Sequence, residues 1–197
     1  MKSELLTRVV EELAKLPSVG ERSALRLALH LLRQPEINSV ALARAIENFR
    51  LNIKYCTLCN NISDTPICPI CSDMSRDKSV VCVVEQVKDL FSIEATGSYN
   101  GLYHVLGGVI SPMQGISPSM LKIDLLEDNV RNGEVKEAIL ALPSSVEGDT
   151  TAFYIRRKLE PYGVKVSAIA KGIGVGEGID LTDEITLVHA LNNRIEM

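Results

Sequence analysis

The sequence predicts an α/β protein in which a helical N-terminal region precedes a parallel-sheet domain and a terminal helix. Three observations lead to this prediction: helical periodicity near the N-terminus, four closely spaced cysteines, and strand and helix patterns that alternate over about 95 residues. We divide the 197 residues into a helical region at 1–53, a cysteine-rich segment at 54–77, a parallel-sheet domain at 78–172, and a C-terminal loop and helix at 173–197.

The N-terminal region has the apolar spacing that amphipathic helices require. Apolar residues recur every three or four positions from Leu5 to Leu16, and the sequence from Pro17 to Gly20 then ends this pattern. A third helical pattern begins after Pro35. The predicted helices lie at 3–15, 21–32 and 38–49.

Residues 79–84 form a continuous, largely β-branched run that is typical of a strand buried on both faces of a parallel sheet. Strands and helices alternate after it, which predicts βαβ units with helices on both faces of the sheet. The further elements are a strand at 103–106, a helix at 118–130, a strand at 137–142, a helix at 150–162, a strand at 164–170 and a terminal helix at 185–194.

Composition and charge exclude several classes of protein. With 46% hydrophobic and 23% charged residues, the chain is neither disordered nor collagen-like. Its longest apolar runs are about five residues, whereas a membrane helix needs about 20, and no signal-peptide core is present. We therefore expect a cytoplasmic protein without membrane association. Residues 1–55 carry 9 basic and 6 acidic side chains, so we expect a polyanion to contact this part.

Four cysteines form a C-x2-C-x8-C-x2-C pattern. Each C-x2-C pair offers two thiolates from one tight turn, and two such pairs complete the tetrahedral sulfur shell of a structural zinc site. A redox-active C-x2-C pair is the alternative, and Cys82, within the apolar strand, is expected to be an inert core residue. The predicted zinc ligands are Cys56, Cys59, Cys68 and Cys71.

The segment LPSVG at 16–20 lies between two predicted helices and resembles a helix-hairpin-helix element. A turn containing Gly20 can present free backbone amides at the start of the next helix, where a phosphate oxygen binds favourably. Arg22 and Arg26 lie four residues apart on one helical face and could neutralise neighbouring phosphates without reading the base sequence. The alternative is an ordinary helical hairpin with two solvated arginines.

Acidic residues follow two of the predicted strands. Glu85 comes directly after the strand at 79–84, and Glu147 and Asp149 lie beyond the strand at 137–142. Ligands bind outside the carboxyl ends of strands in open parallel sheets, and this layout resembles a Toprim domain, which implies magnesium as a candidate ion. The alternative is an acidic rim that binds a partner protein or caps helices beginning at Glu85 and Asp149.

Taken in order, the chain resembles the RecR family over nearly its full length. The resemblance is carried by LPSVGERSALRLALHLL at 16–32, the four cysteines, the stretch VCVVEQVKDLFSIEATGSYNGLYHVLGGVISPMQGISP at 81–118, VEGDTTAFYI at 146–155 and DEITLVHALNNR at 183–194. It departs from the family's usual pattern at Ala168, at 181–183, and in the glycine-rich stretch at 172–178.

This resemblance implies a non-enzymatic accessory factor of RecFOR recombination repair. Such proteins form ring-like oligomers, dimers or tetramers, that bind double-stranded and gapped DNA without sequence specificity and act with RecO and RecF at the nucleoid. The family's DNA contacts after the hairpin correspond to Arg22 and Arg26, and its Toprim acidic positions correspond to Glu85, Glu147 and Asp149. Two other functions compete: a magnesium-dependent nuclease or phosphoryl-transfer enzyme, and an interaction module without DNA contact.

Overall fold

The structure is a computed structural model that describes residues 3–174, 176 and 178–194. It divides into two compact units, one on each side of the bond between Ile53 and Lys54. Two predicted segments lie partly outside the described residues: the glycine-rich stretch at 172–178 and the C-terminal segment at 173–197. In the part of the chain that is described, no helix is both long and apolar enough to cross a membrane.

The first unit consists of three helices, as the periodicity predicts. Helix α1 begins after Ser3, whose Oγ accepts a hydrogen bond from the Leu6 amide at 3.4 Å and so caps the helix. The buried residues of α2 are Ala24 and Ala28, whose small side chains allow α1 and α2 to pack closely. The helices are α1 (Glu4–Ala14), α2 (Glu21–Arg33) and α3 (Glu36–Asn52).

The second unit begins with the cysteine-rich segment. Here β1 (Lys54–Tyr55) and β2 (Ile62–Ser63) form a short antiparallel pair, and α4 (Pro69–Ser72) follows. The segment contacts the sheet domain through Val105, whose amide donates to the Cys59 carbonyl at 2.8 Å. The Asn60 side chain donates to the Val105 carbonyl at 2.9 Å. Two-residue strands carry too little periodicity to be read from sequence, and none was predicted here.

The predicted parallel sheet is confirmed. Its four strands lie in the order β4-β3-β5-β6, and all neighbouring pairs are parallel. The register pairs Val84 at the end of β3 with Val105 of β4 and Ala141 of β5, so these strands end together. The strands are β3 (Asp77–Val84), β4 (Gly101–Val105), β5 (Glu137–Ala141) and β6 (Lys165–Ala168).

Several predicted boundaries were wrong. The helix predicted from 150 begins four residues earlier, because the Ser145 hydroxyl accepts from the Gly148 amide and caps it. The helix predicted at 118–130 divides into a 3-10 turn and a later helix, because Leu121 has an extended backbone. The helices of this unit are α5 (Val87–Glu94), α6 (Ile123–Asn132), α7 (Val146–Leu159) and α8 (Glu184–Asn192), with 3-10 turns at Pro112–Gln114, Pro118–Met120, Glu160–Tyr162 and Ile179–Leu181.

The sheet is buried on both faces, which explains the apolar run at 79–84. Val81 and Val83 of β3 pack with residues of α6 and α7 on one face. Cys82 and Val84 point the other way and pack with Leu90 of α5. Burial raises the pKa of the Cys82 thiol to about 11. Cys82 therefore occupies a core position and stays protonated at neutral pH.

His104 is a buried imidazole in the β4 core. Its Nε2–H donates to the Lys122 carbonyl at 2.8 Å, whereas Nδ1 has no partner in the described part of the chain. Burial lowers the pKa of His104 to about 4, despite the opposing effect of the hydrogen bond to Lys122. The folded protein therefore keeps this imidazole neutral at pH values where the unfolded chain is protonated.

Mildly acidic pH should destabilise the protein through His104. Below pH 6.5, the ordinary pKa of histidine, the unfolded chain takes up a proton at His104, whereas the folded chain takes it up only near pH 4. The contribution of His104 to stability is therefore complete above pH 6.5 and decreases as the pH falls towards 4. When the pH is lowered from 7 to 5, the free energy of unfolding should fall by about 2 kcal/mol more in the unmodified protein than in His104→Gln. Urea unfolding of both proteins at the two pH values measures this difference, and equal pH dependence would contradict it.

Candidate functional site

The four predicted zinc ligands converge on one point. Their Sγ atoms all lie within 4.8 Å of one another. The Cys68 amide donates to Cys56 Sγ at 3.3 Å, and the Cys71 amide donates to Cys68 Sγ at 3.5 Å. These N–H···S bonds orient the sulfur atoms and partly neutralise their charge. Cys71 is partly exposed, and the other three side chains are buried.

The sulfur geometry fits zinc. The Sγ atoms of Cys59 and Cys68 are 3.6 Å apart. A tetrahedral ZnS4 site with Zn–S bonds of about 2.3 Å has edges of about 3.8 Å. The hydrogen bond with Cys71 and burial both raise the pKa of Cys59, so four adjacent thiolates require a bound cation. Four protein ligands complete the shell and leave no position for substrate, so the zinc is structural.

The turn between α1 and α2 exposes backbone amides, as predicted. Gly20 precedes the first residue of α2, and no side chain caps the helix there. The amides of residues 21–23 have no acceptor in the described part of the chain, because the first helical bond runs from the Ala24 amide to the Gly20 carbonyl. A methyl group at Gly20 would have no atom within 4 Å, so the turn is open at this residue.

The left-handed residue of this turn is Ser18 and not Gly20. Ser18 has φ of 64°, whereas Gly20 has φ of −81°, which any residue can adopt. The Val19 amide closes the turn by donating to the Leu16 carbonyl at 3.1 Å. Gly20 therefore leaves the turn open, and the reversal of the chain depends on Ser18.

Arg22 and Arg26 are exposed on the same face of α2, next to the hairpin. Their side chains, with those of His30 and Arg33, line a shallow groove that also contains Leu25 and Leu29. His30 and Arg33 were not among the predicted DNA-binding residues. Their spacing from Arg26 would have identified them, because residues three, four and seven apart share a helix face.

The three acidic residues lie at the same end of the sheet. Glu85 follows β3, and Glu147 and Asp149 lie in the first turn of α7, which follows the neighbouring strand β5. Within the described residues, however, their carboxylates do not form a group close enough to share a metal ion. Asp149 instead forms an ion pair with Lys171, with 2.5 Å between Oδ1 and Nζ. The three side chains therefore do not form a preformed group of metal ligands.

The interpretation of these acids as helix caps was also wrong in detail. Helix α5 is capped by Gln86, which exchanges hydrogen bonds with Asp89, and α7 is capped by Ser145. Glu147 and Asp149 lie within the first turn of α7, where the helix dipole stabilises negative charge. Glu85 is only partly exposed, and its carbonyl accepts from the Gly107 amide at 2.9 Å.

Three family models match consecutive parts of the chain. A RecR helix-hairpin-helix model matches residues 6–50, a RecR four-cysteine zinc finger domain model matches residues 53–73, and a Toprim domain model matches residues 79–170. The matched segments contain the α1–α2 hairpin, the four cysteines and the parallel sheet, respectively.

Similar proteins match the chain over nearly their full length. Recombination protein RecR of Phocaeicola vulgatus is 54% identical over 192 residues, which are 98% of this chain and 94% of that protein. Recombination protein RecR of Bacteroides thetaiotaomicron is 53% identical with the same coverage. The protein of that name from Flavobacterium johnsoniae is 47% identical over 193 residues, which are 98% of this chain and 94% of that protein. The chain therefore belongs to the RecR family.

Proposed function

We propose that this protein is a DNA-binding mediator in recombinational DNA repair that helps to load recombinase at single-strand gaps and damaged forks. The observation that supports this most directly is the α1–α2 hairpin, where uncapped amides of residues 21–23 adjoin the exposed side chains of Arg22 and Arg26. Membership of a family whose relatives are named recombination proteins supports the same role.

The hairpin is suited to the DNA backbone. A phosphate oxygen can accept hydrogen bonds from the amides of residues 21–23 at the positive end of the α2 dipole. Arg22 and Arg26 then neutralise neighbouring phosphates on the same strand. No part of this arrangement reads base edges, so binding to double-stranded and gapped DNA should be independent of sequence.

The acidic end of the sheet is better suited to a protein partner than to catalysis. Asp149 is already paired with Lys171, and Glu85 and Glu147 do not join it as metal ligands. We propose that these carboxylates bind a basic surface and that the protein acts without chemistry of its own. The family resemblance supports RecO and RecF as partners, a ring-like dimer or tetramer as the oligomer, and action on nucleoid DNA in the cytoplasm.

Substituting both Arg22 and Arg26 with alanine should weaken DNA binding and reduce its salt dependence. Each lost phosphate contact reduces the magnitude of the slope of log K against log salt by about 0.9. The slope of the double variant should therefore be smaller in magnitude by about 1.8 for each bound protomer. Fluorescence anisotropy of an end-labelled gapped duplex, titrated at several salt concentrations, measures both quantities.

Arg44 and Arg50 on α3 provide the matched control. Both are exposed and make no ion pair in the described residues, so Arg44→Ala with Arg50→Ala removes the same charge elsewhere in the unit. An equal loss of slope in both double variants would contradict the assignment to the hairpin. With magnesium present, anisotropy falling below that of free DNA would indicate cleavage, and loss of that cleavage in Glu85→Gln would support the nuclease instead.

A further inference from the structure

We infer that α2 binds duplex DNA lengthwise, as a phosphate track in which His30 and Arg33 continue the contacts that begin at the hairpin. This inference rests on the proposed function, because it extends the DNA interface from the first turn of α2 to its last. It adds two contact residues and commits to one ligand, the backbone of double-stranded DNA.

The four side chains form one stripe along the helix. At 100° per residue, Arg22, Arg26, His30 and Arg33 fall within an arc of about 80°. Arg33 lies eleven positions after Arg22, which at 1.5 Å per residue is about 16 Å along the axis. All four side chains are exposed and line the same groove, whereas Ala24 and Ala28 lie on the buried side of the helix.

The charge of this stripe is uncompensated. Within the described residues, none of the guanidinium groups of Arg22, Arg26 and Arg33 pairs with a carboxylate. Arg44 and Arg50 of α3 are likewise unpaired, whereas six cations of the described residues form ion pairs: Lys15, Arg76, Arg131, Lys158, Lys165 and Lys171. Like charges four residues apart on a helix repel, so an unpaired stripe destabilises the free protein slightly. An anion that spans the groove removes this repulsion.

The helix dipole does not account for the stripe. Positive side chains in the last turn interact favourably with the helix C-terminus, and this interaction would explain the positions of His30 and Arg33. Arg22 lies in the first turn, where the same dipole disfavours positive charge. An extended anion explains both ends, because its phosphates contact the amides at the start of α2 and the cations along its length.

The groove favours the backbone of a duplex over a single strand. Phosphates of one strand rise about 3.4 Å along the duplex axis and also wind around it, so a straight stripe of about 16 Å can contact about two or three consecutive phosphates. Single-strand binding usually depends on aromatic side chains that stack on bases. Residues 1–53 contain one such side chain, Phe49 of α3, and the apolar residues in the groove are Leu25 and Leu29.

The test measures the salt dependence of binding to an end-labelled blunt duplex at pH 8. Arg33→Ala should reduce the log–log slope by about 0.9 for each bound protomer, and Arg33→Lys should retain it. His30→Lys should increase the slope by about the same amount, because it places a lysine ammonium group in the groove. Arg44→Ala is the control for charge outside the groove, and circular dichroism checks that α2 remains helical.

The outcomes separate this inference from the proposed function. If Arg22→Ala and Arg26→Ala reduce the slope but the substitutions at His30 and Arg33 do not change it, the track is wrong and the hairpin interface stands. If Arg22→Ala, Arg26→Ala, His30→Lys and Arg33→Ala all leave the slope unchanged, both are wrong. The duplex assignment would be wrong if the protein bound a single strand of the same length more tightly than the duplex and if that binding depended equally on Arg33.

Discussion

Removal of the zinc, or substitution of Cys68 with serine, is expected to unfold the segment from Lys54 to Asp73. The buried hydrophobic cluster of this segment consists of cysteines, with Ile70 packed against them, so the metal replaces a hydrophobic core. Zinc binding to such sites contributes about 10–16 kcal/mol in isolated zinc-finger peptides, and here that free energy stabilises the folded segment. Hydrogen exchange should show loss of protection at residues 54–73, and thermal unfolding should begin at a lower temperature.

Cys82→Ala is the matched control for this prediction. Cys82 is buried in the sheet core and is separate from the four clustered thiols. The alanine variant should bind one zinc ion per chain, as the unmodified protein does, whereas Cys68→Ser should bind markedly less. Full zinc content in Cys68→Ser, measured by atomic absorption after dialysis, would contradict the four-thiolate site.

Replacing Gly148 with alanine is expected to lower the free energy of unfolding by about 3 kcal/mol. A Cβ atom at this position would lie 2.0 Å from the Pro143 carbonyl oxygen, a backbone atom that cannot rotate away. The connection between β5 and α7 must therefore shift to accommodate the methyl group. Urea unfolding followed by circular dichroism gives the change in free energy directly.

Gly20→Ala serves as the comparison for the added methyl group. Its Cβ would meet no atom within 4 Å, and its φ of −81° is accessible to alanine. A cost of about 1 kcal/mol is expected, because glycine is a better N-cap residue than alanine. If both alanine variants lost a similar free energy of unfolding, the close approach to Pro143 would not be the reason why glycine is required at position 148.

The regular elements were predictable where burial imposes a pattern. The run of apolar residues at 79–84 identified β3 because both of its faces are covered, and this strand fixed the fold class. The start of α7 was missed because Gly148 disfavours helix in isolation. In the folded chain, the Ser145 cap and the close approach to Pro143 outweigh that preference.

Site residues could be predicted only where they lie close together in the sequence. The spacing of the cysteines was sufficient to predict zinc, and Arg22 and Arg26 share a helix face by spacing alone. The pairing of Asp149 with Lys171 crosses 22 positions and depends on the sheet that brings the two together. The left-handed conformation of Ser18 was equally hidden, because serine seldom adopts a positive φ.

The contact between the cysteine-rich segment and Val105 also covers the end of an edge strand. Strand β4 is an edge strand of the sheet, and the backbone amide and carbonyl of Val105 pair with Cys59 and Asn60. An unpaired edge of this kind is a template for strands of other molecules, and natural proteins commonly cover it. The metal-bound segment is that cover. A chain synthesised without enough zinc would therefore expose β4, and aggregation would compete with folding.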